Sequence, residues 1–299
     1  MSAGAIATAM LVASLVMAGF NGILASAISL PSFEIVLLRA SLGAVILGIM
    51  LAASRKPLQV LRYKKEGIFL VLAGTALAAD WLFLFEAYEY AGVGMSTILC
   101  YCAPIIVMVL SPVLFREKLT PVKIAGFAVV VAGAMLVNGV ALQGGASIHG
   151  ILCGLASAAC FAAMMILNKK VEHVGGVEKV FVEIAASAVV VCVYVVFAKG
   201  ITLDAVFSVA NLTALPVAAL GVSTALGNYL YLKAMGSLSV QSVAVLGYIE
   251  PLSAVALSAV VLGEALLPLQ LAGAAFIILG ALASELQGAR ASKKAAAQH

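Results

Sequence analysis

Five ionisable side chains stand inside long apolar runs: Arg39, Asp80, Glu86, Glu183 and Glu250. Each costs about 2.5–3.5 kcal/mol at the centre of a lipid-facing helix. They are therefore expected to face a protein interior or water, where such groups hold protons or solutes. Asp80 and Glu250 fall near the middle of their runs, a depth that suits a proton or substrate site. Glu250 also has a structural reading of equal weight. Pro251 after it frees a backbone carbonyl, to which a protonated Glu can donate. Arg39 and Glu86 sit at matching depths, which predicts a salt bridge between them. Glu183 is the counterpart of Arg39 when residues 34–45 are aligned with residues 178–189 at an offset of 144.

Aromatic residues surround these positions. Trp81, Phe85 and Tyr88 share one helical face, because steps of four and three residues complete nearly two turns. Tyr231 and Asn228 belong to a second such face, and Tyr101 and Tyr248 each stand just before a proline. An interfacial aromatic belt explains Tyr90 but not the deeper Trp81, Tyr101 and Tyr248. Carboxylates beside Trp and Tyr faces suit an organic cation through charge and cation–π attraction. They suit an amino acid or a neutral metabolite nearly as well. The expected substrate site is thus Trp81, Tyr88, Tyr101, Asn228, Tyr231 and Tyr248, with Asp80 or Glu250 in reach.

The elements that position these residues follow from composition. Hydrophobic residues make up 64% of the 299 residues and charged residues 10%. A soluble domain carries about 25% charged residues, so a water-soluble fold is excluded. Ten apolar segments can each supply the roughly 20 residues of a membrane-spanning helix. They run over about 3–29, 33–53, 67–88, 95–115, 121–139, 147–168, 179–198, 213–235, 240–262 and 266–285. Their continuous apolarity argues against barrel strands, which alternate.

The chain is one unit written twice. Tyr101, Pro104, Ser111, Glu117, Leu119, Pro121, Gly126 and Gly133 recur 147 residues on, as Tyr248, Pro251, Ser258, Glu264, Leu266, Pro268, Gly273 and Gly280. Five spans per copy is an odd number, so the copies are inverted. Charge agrees. With the N-terminus inside, Lys and Arg gather in the inner connections and the tail, leaving only Lys199 outside and Arg39 in a span. The positive-inside rule then places both termini in the cytoplasm of an inner (plasma) membrane protein. Arg116, Lys118 and Lys123 of the first copy become Gly263, Ala265 and Gln270 in the second, as an outer loop requires. Domain boundaries are expected at 1–139 and 147–286, with a glycine-rich hinge between them and a disordered tail at 287–299. The paired glycines, seven residues apart on one helical face, predict close helix packing within the chain or in a homodimer.

Pro104 to Gly133 (PIIVMVLSPVLFREKLTPVKIAGFAVVVAG) and Pro251 to Gly280 (PLSAVALSAVVLGEALLPLQLAGAAFIILG) resemble the EamA family of the drug/metabolite transporter superfamily. Arg39 in LLRAS and the pair Glu250-Pro251 resemble it too. The resemblance implies an all-α membrane protein of ten helices in two inverted five-helix repeats around a central cavity. It does not imply a substrate. No nucleophile, phosphate loop or metal constellation is present, so no enzyme chemistry, cofactor or nucleic-acid partner is expected. Cys100, Cys102, Cys153, Cys160 and Cys192 are expected to be packing residues. The expected function is secondary transport of a small organic solute by alternating access, with a proton as a coupling partner and lipids as neighbours, in a monomer or homodimer. The other class considered is a lipid flippase or scramblase.

Overall fold

The computed structural model describes residues 3–26, 28, 30–117, 119–139, 147–198, 200, 215–262 and 267–296. Among them are twelve helices: α1 (Ala3–Ser26), α2 (Ser32–Ser54), α3 (Gln59–Arg62), α4 (Lys64–Cys100), α5 (Ala103–Phe115), α6 (Pro121–Gly139), α7 (Ile148–Lys169), α8 (Gly176–Ala198), α9 (Leu215–Ser237), α10 (Val240–Leu246), α11 (Ile249–Leu262) and α12 (Pro268–Ala296). Eight stretches are long and apolar enough to cross a membrane, and the shorter apolar helices 121–136 and 268–283 bring the number to ten. This is the expected all-helical membrane fold. The hinge residues 140–146, Lys118, Lys199 and the motif segment 263–266 lie outside the described residues.

Helix boundaries record the duplication. α2 and α8 each contain 23 residues, and their first and last residues are separated by 144 positions. α4 ends at Cys100 and α5 begins at Ala103, while α10 ends at Leu246 and α11 begins at Ile249. Both breaks lie just before a repeated proline, Pro104 or Pro251, which cannot donate to the carbonyl four residues back. The fourth and ninth spans are therefore broken helices, not continuous ones. α4 departs from expectation as well. It carries the third span and the start of the fourth as one element, bent at Gly92, whose φ of 74° only glycine adopts freely.

Packing follows the same symmetry. α4 lies along α7, and its counterpart α9 lies along α1. α2 meets α8, and α6 meets α12. A Cβ on Gly133 would stand 2.7 Å from the Gly273 carbonyl oxygen, and one on Gly280 would stand 2.5 Å from that of Gly126. The paired glycines thus bring α6 and α12 into backbone contact within the chain. A large apolar core joins Leu11, Val36, Leu77, Trp81, Ala162, Ile184 and Met235 from the first, second, fourth, seventh, eighth and ninth helices. A second core joins Met108, Phe127, Val130, Tyr248 and Ile277 around the broken helices, α6 and α12.

α12 runs on to Ala296, into the segment expected as a tail.

Candidate functional site

Asp80 and Trp81 lie in the middle of α4 and are 4% and 8% exposed. Asp80 Oδ1 accepts a 2.6 Å hydrogen bond from Ser157 Oγ, which α7 brings from the other half. The Arg39 guanidinium of α2 lies over the Trp81 ring, 4.3 Å from its centroid. The carboxylates in electrostatic reach of Arg39 are Glu250, at the start of α11, and Asp80. Four elements from both halves therefore converge on one cation and two carboxylates. Among the described residues, Arg39 Nε is buried without a hydrogen-bond partner.

Polar aromatic groups border this cluster. Tyr88 lies within the field of Asp80 and Glu250, and Tyr231 within that of Glu250 and Glu183. Arg39, Tyr88, Tyr231 and Glu250 are half-buried, so solvent-sized space reaches them while Asp80 and Trp81 stay covered. Asn228 spends its amide on its own helix, donating 2.8 Å to the Thr224 carbonyl.

Not all expected site residues join it. Tyr248 is 1% exposed and packs in the second core, edge-on to Phe127, with ring centroids 5.8 Å apart. Its hydroxyl donates 2.7 Å to the backbone carbonyl of Tyr101, its own counterpart in the repeat. Tyr101 and Tyr248 thus tie the two helix breaks together, and Tyr101 also lies within the field of Glu250. A crevice of about 20 Å³ beside this pair and a groove of about 490 Å³ between α6 and α12 touch none of Arg39, Asp80, Trp81 and Glu250.

The expected Arg39–Glu86 bridge is a correction. Glu86 pairs instead with His149 of α7, Oε1 to Nε2 at 3.6 Å. Equal depth does not make equal facing: Arg39 is turned onto Trp81, five residues before Glu86, on another face of α4. His149 also lies 3.7 Å from Cys153 Sγ, a spacing of four residues that sequence reading passed over. Glu183 is 1% exposed, hydrogen-bonded to Asn168 and within the field of Lys179. Lys179 itself donates 2.7 Å to the Asn168 carbonyl at the end of α7. Although Glu183 aligns with Arg39 in the repeat, it belongs to this separate tie at the α7–α8 turn.

Sequence reading also missed a set of carboxylates that cap helix starts and loops. Glu66 accepts from the His173 and Val174 N–H groups, Glu178 from those of Gln59 and Val60, and Glu117 from those of Val240 and Gln241. Each links segments more than 100 positions apart, which sequence spacing cannot reveal.

Both five-helix units, residues 5–139 and 148–284, match the EamA-like transporter family. The chain belongs to that family. It is thereby a multi-pass membrane protein of a transporter family and not an enzyme. An uncharacterized transporter of Bacillus subtilis (strain 168), YxxF, is 25% identical over 193 residues, a match that spans 62% of this chain and 61% of that protein. A solved crystal structure shares the fold with a TM-score of 0.77 at 20% identity, covering 94% of this chain and 98% of the other. The family model matches twice, once in each half of the chain.

Proposed function

We propose that the protein is a secondary transporter that moves a small organic solute across the inner membrane by alternating access. The carrying observation is the convergence of Arg39, Asp80 and Glu250 from both halves beside Trp81, Tyr88 and Tyr231. Two carboxylates lie in electrostatic reach of one guanidinium, so the cluster, when ionised, carries one negative charge in excess. A proton or a cationic solute group balances it. Competition between the two for the same carboxylates couples a proton gradient to solute movement, with Asp80 or Glu250 as the proton carrier. A solute ammonium or quaternary amine fits the Trp81 and Tyr faces, and the Arg39 Nε donor suits a solute that also carries an acceptor. The distribution of Lys and Arg supports cytoplasmic termini.

The flippase reading fares less well. A lipid headgroup needs polar partners along a lateral path. The groove open between α6 and α12 is lined by Pro121, Val122, Gly126, Val129 and similar apolar residues.

A thermal-shift screen of purified protein against amino acids, quaternary amines, nucleosides and sugars tests the proposal. A ligand at 100 times its Kd stabilises by about 2.7 kcal/mol. The expected result is a shift with amine-bearing solutes that Asp80→Asn and Trp81→Ala abolish. Equal shifts in the wild type and both variants would refute the assigned site.

A further inference from the structure

Glu117, Ser111 and Lys123 surround the start of α10 and hold it by side chains of the other half. Glu117 Oε1 accepts from Val240 N at 2.8 Å and Oε2 from Gln241 N at 3.2 Å. Lys123 Nζ donates 2.6 Å to Gln241 Oε1, and Gln241 Nε2 donates 2.8 Å to Ser111 Oγ. Gln241 is 1% exposed and Ser111 fully buried. These four hydrogen bonds, two of them made through one glutamine side chain, join α5 and α6 to α10. They lie beside Arg116 and Lys123, at the end that charge assigns to the cytoplasm.

The duplication supplies the comparison. At the offset of 147, Ser111 and Glu117 keep their residue types as Ser258 and Glu264. Gln241 corresponds to Gly94, which has no side chain to bridge anything. Lys123 corresponds to Gln270, whose Oε1 accepts locally from Leu267 N at 2.9 Å. α10 lies against α5 along this set of hydrogen bonds.

We propose that Ser111, Glu117, Lys123 and Gln241 form a latch that shuts the cytoplasmic side between the two halves. The second copy of the motif has Gly94 and Gln270 in place of the bridging side chain and the cation. Inward opening requires breaking the latch. This rests on the alternating-access reading above, and adds a cytoplasmic gate to it.

The test reads opening without any solute. Spin labels at Val113 of α5 and Ser237 of α9, both exposed, report the separation of the halves at that end, by pulsed electron resonance in lipid nanodiscs. The wild type should give one short distance population. Gln241→Ala removes both side-chain bonds, one of them charge-assisted, and should raise the open-to-closed ratio about tenfold to a hundredfold, adding a longer population. Lys123→Gln installs the residue of the other copy and should give a smaller shift of the same sign. It carries the test if Gln241→Ala does not fold. A wild type already split between two distances would overturn the latch, as would distributions unchanged in the folded variants. Distances that shift in a protein that binds no solute would sustain the latch while refuting the transport reading.

Discussion

Replacing Arg39 by Gln removes the cation that, among the described residues, lies beside two carboxylates, and a pair of double-mutant cycles can show which carboxylate it serves. The structure places Glu250 and Asp80 in its field and Glu86 with His149. Arg39→Gln gives up a cation–π contact worth about 0.5–2 kcal/mol and leaves Glu250 and Asp80 without a counter-charge. Breaking a fully buried pair costs about 3–5 kcal/mol. Arg39 and Glu250 are half-buried, so a total loss of about 2–3 kcal/mol is expected here. Glu250→Gln alone should cost less, because it also relieves repulsion with Asp80. Combining the two should recover part of the first loss, with a coupling of about 1–2 kcal/mol, inside the range of residues that share one network. The matching cycle with Glu86→Gln should be additive within about 0.3–0.5 kcal/mol. Equilibrium unfolding in detergent, followed through the single Trp81, supplies the four free energies of each cycle. Coupling to Glu86 larger than coupling to Glu250 would refute the arrangement of the central cluster.

Other outcomes follow from the same contacts. Gly133→Ala gains about 1 kcal/mol of helix propensity but forces apart backbones that would stand 2.7 Å from the new Cβ, an overpacking cost of about 1–3 kcal/mol, whereas Gly4→Ala meets nothing within 4 Å. Thermal unfolding should therefore rank Gly4→Ala above Gly133→Ala, and the reverse order would refute the close α6–α12 crossing. Tyr248→Phe leaves the Tyr101 carbonyl without its 2.7 Å donor and should cost about 1–3 kcal/mol in stability while leaving the solute shift intact; loss of that shift alone would return Tyr248 to the binding site. Transport by the double variant Asp80→Asn/Glu250→Gln should lose its proton dependence, and full retention would exclude both as carriers. Single cysteines near Lys64 and Lys118 should react only with reagents on the cytoplasmic side and one near Gly263 only from outside, and same-side labelling would sink the inverted repeat.

The helices, the duplication and the broken fourth and ninth spans were legible because each rests on a local cause. Apolar length marks a span, a repeated proline marks a break, and a seven-residue glycine spacing marks a close crossing. The central cluster was legible only in part. Burial in lipid is costly for any ionisable group, so Arg39, Asp80 and Glu250 announced themselves by type and depth. Which of them meet depends on rotation about each helix axis, and depth carries no such information. For that reason the Arg39 partner was misassigned to Glu86. Tyr101 and Tyr248 carry a second signal besides their expected place at the site. Their position before a proline is a structural signal, and the structure uses the Tyr248 hydroxyl to pair a carbonyl beside the break. The latch was hidden because Gln241 is neutral, and a lone glutamine in an apolar run draws no attention until its neighbours are known.

The two copies separate scaffold from chemistry. Positions that kept their residue type serve backbone needs. Pro104 and Pro251 break helices, Gly133 and Gly280 let backbones approach, and Tyr101 and Tyr248 meet at the breaks. Positions of the central cluster have diverged. At the offset of 147, Asp80 corresponds to Gly227, Trp81 to Asn228 and Glu250 to Ala103, and at 144 Arg39 corresponds to Glu183. An inverted pair of identical units would present two equivalent sites, one from each side, with no single place for one solute. Divergence at these four positions places a charged cluster on α2, α4 and α11, with Ser157 of α7 holding Asp80. The scaffold remains nearly symmetric. The latch residues fall between these cases, with Ser and Glu retained and Gln and Lys replaced.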